Sequence, residues 1–146
     1  MNLGRLALAA IAATIADGVY GFLVWGQLLS GAFAPYPAIF RSSADQTAYF
    51  PLMFAGVLAG MFVASWIYAK GCEHGSGALE GLRFGALMGL LIGAYMAGVN
   101  YGLLRIGRRL ALTYAVGWLG EWLVVGLVFG LLYRPAERVV GRAAGV

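Results

Sequence analysis

Long apolar runs separated by short polar breaks organise the chain from end to end. Four runs reach the ~20 mostly apolar residues that a membrane-crossing helix needs: Leu6 to Leu29, Phe50 to Ala69, Ala78 to Leu104 and Ala111 to Tyr133. No stretch alternates polar and apolar residues with a period of two, so the pattern excludes a β-barrel. The expected fold is all-α: a polytopic integral membrane protein whose four transmembrane helices form one bundle, a single membrane domain over 1–146.

The breaks predict how the spans connect. The longest, Ser30 to Tyr49, carries Pro35, Pro37, Phe33, Tyr36 and Phe40, a content suited to the headgroup layer. Within it Ser43-Ala44-Asp45-Gln46 has capping-box spacing, which predicts a short interfacial helix bent at Pro51 into the second span. Lys70 to Gly77 reads as a tight polar hairpin, Arg105 to Arg109 as a short basic turn, and 134–146 as a short polar tail. Arg5 followed by an apolar run resembles a secretory leader, but the run is too long for one and no small-residue cleavage site follows, so the first segment is expected to be a retained span.

Composition agrees with the pattern. Hydrophobic residues make up 62% of the 146 and charged residues 11%, too few polar groups to cover a water-soluble surface. The net charge of +4 does not call for nucleic acid, because the basic residues stand at span ends, where anionic headgroups and topology account for them. Arg105, Arg108 and Arg109 are expected to contact headgroup phosphates. Arg5, Lys70, Arg83, Arg134, Arg138 and Arg142 fall on the side of the termini, against Arg41, Arg105, Arg108 and Arg109 opposite, which favours termini inside. One cysteine and one histidine exclude an intrachain disulfide and a bis-histidine haem. Cys72, Glu73 and His74 are zinc-ligand types, but three adjacent residues do not close a tetrahedral site, so no metal and no cofactor are expected.

Inside the spans a few residues stand out. Gly77, Gly81, Gly85, Gly89 and Gly93 recur every fourth residue, with Ala97 continuing the row, and so lie on one face of the third span. Bare backbone of this kind lets helices approach closely where lipid gives no hydrophobic reason to associate. The seam is expected with another span of the same chain, or alternatively with a copy, a partner or a lipid. Gly56 with Gly60 and Gly126 with Gly130 repeat the spacing once each. Asp17 and Glu121 each sit near the middle of a span, where an ionisable group costs about 2.5–3.5 kcal/mol and must face protein or water. They form an expected polar centre, either a proton or cation site or hydrogen-bonded helix glue, with Asn100 and Gln27 as further interhelical hydrogen-bonding groups. Glu80 and Arg83 read as a local ion pair. No nucleophile–base pair, phosphate loop or zinc motif is visible, so enzyme activity is not supported.

The run GFLVWGQLLSGAF, with Gly21, Phe22, Trp25, Gly26 and Gly31, resembles the first span of a widespread bacterial family of small four-span membrane proteins of unknown function. The glycine-rich third span and the paired glycines of the fourth look similar too. The resemblance implies a bacterial cytoplasmic membrane and brings no activity with it. Three functions are carried forward: a non-enzymatic accessory subunit packing against a larger membrane complex, a homo-oligomeric proton- or cation-coupled transporter or channel using the midplane carboxylates, and a lipid-modifying enzyme. The expected partners are the bilayer and other membrane subunits or copies of the chain.

Overall fold

The computed structural model describes residues 2–71 and 77–133. The expected Lys70–Gly77 hairpin with Cys72, Glu73 and His74, and the tail with Arg134, Arg138 and Arg142, lie outside the described residues wholly or in large part. The chain forms α1 (Leu3–Tyr20), which continues as a π-helix (Gly21–Leu28), then a single turn α2 (Ser30–Phe33), α3 (Ser43–Gly71), α4 (Ala78–Leu103) and α5 (Arg108–Leu132). Among the described residues there is no strand. In hydrocarbon every backbone polar group must find its partner within the chain, and the helix is the element that does this locally.

Four helical segments, Leu3–Leu28, Ala44–Gly71, Ala78–Leu103 and Arg108–Leu132, reach mean hydropathies of 1.8, 1.9, 1.6 and 1.9 over an 18-residue stretch and are long enough to cross a bilayer. Their outer faces present Leu28, Leu52, Leu87 and Val116 uncovered, which suits a lipid solvent. The protein is an integral membrane protein with four spanning helices.

Three boundaries differ from the sequence reading by three residues or more, one being the start of the first span at Leu3 rather than Leu6. The second span begins earlier, because the interfacial turn and the span form one helix that runs on through Pro51. Ser42 stands at its N-cap, while the side chain of Ser43 lies outside the described residues. The Ser42 hydroxyl oxygen accepts the Asp45 backbone N–H at 3.2 Å and donates to the Asp45 carboxylate at 2.7 Å. Gln46 turns back to donate to the Arg41 carbonyl at 3.0 Å. The fourth span starts at Arg108, so the basic turn contributes its last two arginines to the helix.

The closest backbone approaches join the helices in the order α3, α1, α5, α4. The tightest is α4 on α5, where the glycine row lies. A Cβ added at Gly89 would meet Leu119 Cα at 2.9 Å, one at Gly93 the Ala115 carbonyl oxygen at 2.8 Å, and one at Gly85 the backbone of Trp122 and Leu123. Gly81 faces Gly126 and Gly130 of α5, and a Cβ at Gly126 would come within 2.7 Å of Gly85 Cα. The row and the paired glycines of α5 are thus two halves of one intrachain seam. Gly77 stands at the α4 N-cap with open space where a Cβ would be.

Helix α1 meets α3 along Leu6, Ala9, Ala10 and Ala13, opposed by Met61, Ala64 and Ser65, all buried. The Ser65 hydroxyl donates to the Leu6 carbonyl at 3.0 Å and pins the two helices. At the same end Tyr68 stacks on Phe129 with ring centroids 5.8 Å apart and reaches Phe84 at 5.3 Å, so α3, α4 and α5 also converge there. Toward the other end α1 and α3 diverge, and the connection between them closes over the gap. Tyr36 of that connection accepts the Gly107 backbone N–H at 2.8 Å, which ties it to the α4–α5 turn.

Candidate functional site: an acidic pair at the floor of an aromatic cavity

Asp17 falls near the middle of the first span and Glu121 near the middle of the fourth. The α1–α5 contact brings their side chains together: the two carboxyl groups lie within interaction distance of one another. Glu121 is 95% removed from solvent, its relative exposure being 5%. Its Oε2 accepts the Trp25 indole N–H at 2.7 Å.

Helix geometry explains how Trp25 comes to be there. Eight residues at 3.6 per turn would leave Trp25 roughly 80° around the helix from Asp17. The chain widens into a π-helix from Gly21, where the bonds run five residues back, as in Leu29 N–H to the Val24 carbonyl at 2.7 Å. The wider turn takes back roughly 70° of that angle, so Asp17 and Trp25 share one face. Short π segments inside membrane helices are uncommon and tend to mark functional positions.

Helix α5 has made room on its side. A Cβ at Gly117 would stand 2.6 Å from Trp25 Cζ2, in hard collision with the edge of the indole. One at Gly120 would run into the Tyr20 hydroxyl, which instead donates to the Gly117 carbonyl at 2.9 Å. Two glycines three positions apart therefore admit two aromatic side chains, and these hold the π-helix against α5 beside the acidic pair.

Above the pair the divergence of α1 and α3 leaves a cavity of about 880 Å³. Asp17 and Glu121 form its floor. Below them the helices close on Ala9, Ala10, Ala13 and Val125, none of which has exposed surface. One wall is a continuous set of rings centred on Trp25, whose centroid lies 6.1 Å from Phe33, 6.1 Å from Tyr114 and 6.0 Å from Trp118. The facing wall is α3, with Met53, Phe54 and Val57. Arg41, Ser42 and Gln46 form the polar rim, and Arg41 is held over the Tyr49 ring with its guanidinium carbon 3.9 Å from the centroid. Arg41 is the basic residue among those that line the cavity.

The other expected site residues stand apart from this centre. Gln27 is exposed beyond the cavity and Asn100 half-buried near the far end of α4, and among the described residues neither side chain meets a hydrogen-bond partner. Arg105, Arg108 and Arg109 are exposed at the rim end, where α4 gives way to α5. The sequence reading named Trp25 only within the family resemblance and assigned none of Trp25, Tyr20 and Gly120 to the site. A signal for them was present in Gly117-Trp118-Leu119-Gly120-Glu121, where two small residues precede a buried carboxylate by four and by one. Compared with protein-family models, with curated proteins and with solved structures, the chain matches none.

Proposed function

We propose that the protein binds a cation at the Asp17–Glu121 pair and carries it, or a solute coupled to it, across the membrane. The observation that carries this reading is the position of two facing carboxyl groups at the closed end of a cavity at mid-bilayer depth. Two carboxylates side by side in a low dielectric repel when both are charged, and a proton or a bound cation between them relieves the repulsion. A pair serving only as helix glue would gain nothing from a cavity leading to it. Carriage would require the Ala9, Ala10 and Ala13 contacts with α3 to loosen, and small side chains resist such a shear less than interdigitated large ones do.

The test is flux into proteoliposomes driven by a pH or sodium gradient, with Asp17→Asn and Glu121→Gln. Loss of flux in both variants is expected. Flux that both variants retain removes the proposal.

A second reading keeps one specific support. Gly56 and Gly60 on α3 have open space where a Cβ would be, and neighbouring Phe62 and Val63 are uncovered, so an outside helix could approach there. This is one surface left for an accessory role, because the α4 glycine row is spent within the chain. Gly60→Leu should then abolish co-purification with a partner complex in mild detergent. A protein that purifies alone with or without that substitution is no subunit of this kind.

A further inference from the structure

We propose that the ligand of this cavity is an amphipathic organic cation: a charged nitrogen or phosphorus centre over Asp17 and Glu121, with an aromatic or aliphatic body against the ring-lined wall. The inference rests on reading the pair as a cation site and adds the chemical class of what it takes.

Three observations converge on that class. The floor is acidic and the cavity's basic residue, Arg41, is engaged with Tyr49 at the opposite end, so an anion finds no counter-charge near the floor. The wall above is aromatic, and Trp25, Tyr114 and Trp118 offer the negative faces over which organic cations are held. The volume of about 880 Å³ falls in the range of small-molecule sites, about 300–1,000 Å³. A bare metal ion needs a dense shell of oxygens, six to eight for calcium. The floor of this cavity offers it two carboxyl groups among rings, with the Ser42 and Gln46 oxygens away at the rim.

Two further features suit such a ligand. Phe22 and Phe54 are 65% and 50% exposed and line this cavity on one side and a shallower apolar groove on the other, with Gly18 between them. The partition between cavity and bilayer is therefore a pair of loosely held rings over a glycine, and a compound dissolved among lipid tails could pass it sideways. On the floor, the Trp25 indole N–H already occupies one oxygen of Glu121 at 2.7 Å. A ligand centre arriving there takes the place of that donor, and the indole moves away from Gly117. Binding should thus change the emission of Trp25.

The experiment uses the full chain in phosphatidylcholine nanodiscs. Binding of tetraphenylphosphonium is measured by equilibrium dialysis beside its isosteric anion tetraphenylborate. Saturable phosphonium binding without saturable borate binding is expected, with a blue or red shift of tryptophan emission that is absent in Trp25→Phe. Glu121→Gln and Asp17→Asn should each weaken phosphonium by about tenfold or more. Phe54→Ala, which removes a half-exposed ring and leaves the Leu6–Ser65 bond and the buried alanine contacts of α1 in place, should weaken it by about threefold or more, and serves if the carboxyl variants do not fold. Equal binding of phosphonium and borate, or phosphonium affinity unchanged in Glu121→Gln or in Phe54→Ala, overturns the inference. If proton or sodium flux depends on Glu121 while phosphonium does not bind, the ligand class falls and the cation-site reading stands. If neither flux nor binding occurs, both fall.

Discussion

Replacing Gly85 by alanine adds one methyl group, and in a free helix that change stabilises by about 1 kcal/mol. In the α4–α5 seam its sign should reverse. The new Cβ would lie 3.0 Å from the Trp122 carbonyl carbon and 3.1 Å from Leu123 Cα, and closer still to the Trp122 carbonyl oxygen. All three are backbone atoms, so no rotamer change relieves the contact. Restoring carbon–carbon separations of about 3.5–4.0 Å moves the helices apart by about half an ångström or more, and a gap of that size forfeits a quarter to a half of each van der Waals contact along the seam. Overpacking of this kind costs about 1–3 kcal/mol, which outweighs the gain in helix propensity. Gly60→Ala is the matched control, since nothing lies within 4 Å of its Cβ position. Thermal unfolding in detergent, followed by circular dichroism, should place Gly85→Ala below the wild type and Gly60→Ala at or above it. Equal stability of the two variants would refute the claim that backbone contact holds α4 to α5.

Further outcomes follow from the contacts around the site. Trp25→Phe keeps one aromatic ring but removes the pyrrole half of the indole with its N–H, so it should lower stability by about 1–3 kcal/mol in the same unfolding assay. Gly117→Ala drives the indole off Glu121 by steric means, so its effect should not add to that of Trp25→Phe in a double-mutant cycle; full additivity would show that the two act separately. Ser65→Ala should cost only about 0.6 kcal/mol, the average for interhelical hydrogen bonds in a membrane bundle, and a loss above about 2 kcal/mol would mean the hydroxyl does more than bridge α1 and α3. Tyr36→Phe removes the acceptor for the Gly107 N–H and should speed hydrogen exchange at Gly107 while leaving the exchange of α4 and α5 interiors unchanged.

The spans were legible because a run of about 20 apolar residues has few other uses. Their ends were less so: a helix can extend into the headgroup layer at no cost in hydropathy, as α3 does from Ser43 to Phe50. The glycine row showed which face of α4 packs, because periodicity fixes a face. It did not show what packs there, and Gly126 with Gly130, a single repeat, gave too little signal to be chosen as its partner. Asp17 and Glu121 were visible as charges at the wrong depth. Their shared cavity was not, since it arises where α1 and α3 diverge, a matter of helix angle rather than residue type. The π-helix left no mark on the pattern at all. Gly21–Leu28 is as apolar as an α-helical stretch would be, and with α-helical spacing Trp25 belongs to another face.

The long sequence separation between Tyr20 and Gly117, 97 residues, and between Trp25 and Glu121, 96 residues, bears on how the protein is made. Spans leave the translocon in order, and the first does so with a carboxyl group at its centre. Its neighbour α3 can dock at once through Ser65 and Leu6, but it brings no carboxyl group to Asp17. Glu121 arrives with the last span, which itself zips onto α4 across a connection of four residues, Leu104 to Gly107. For most of synthesis, then, the nascent chain carries an unmatched polar group in lipid, and insertion of α5 is the step that retires it. Truncation before Arg108 should leave a protein that the cell's membrane quality control recognises by Asp17, and Asp17→Leu should spare it.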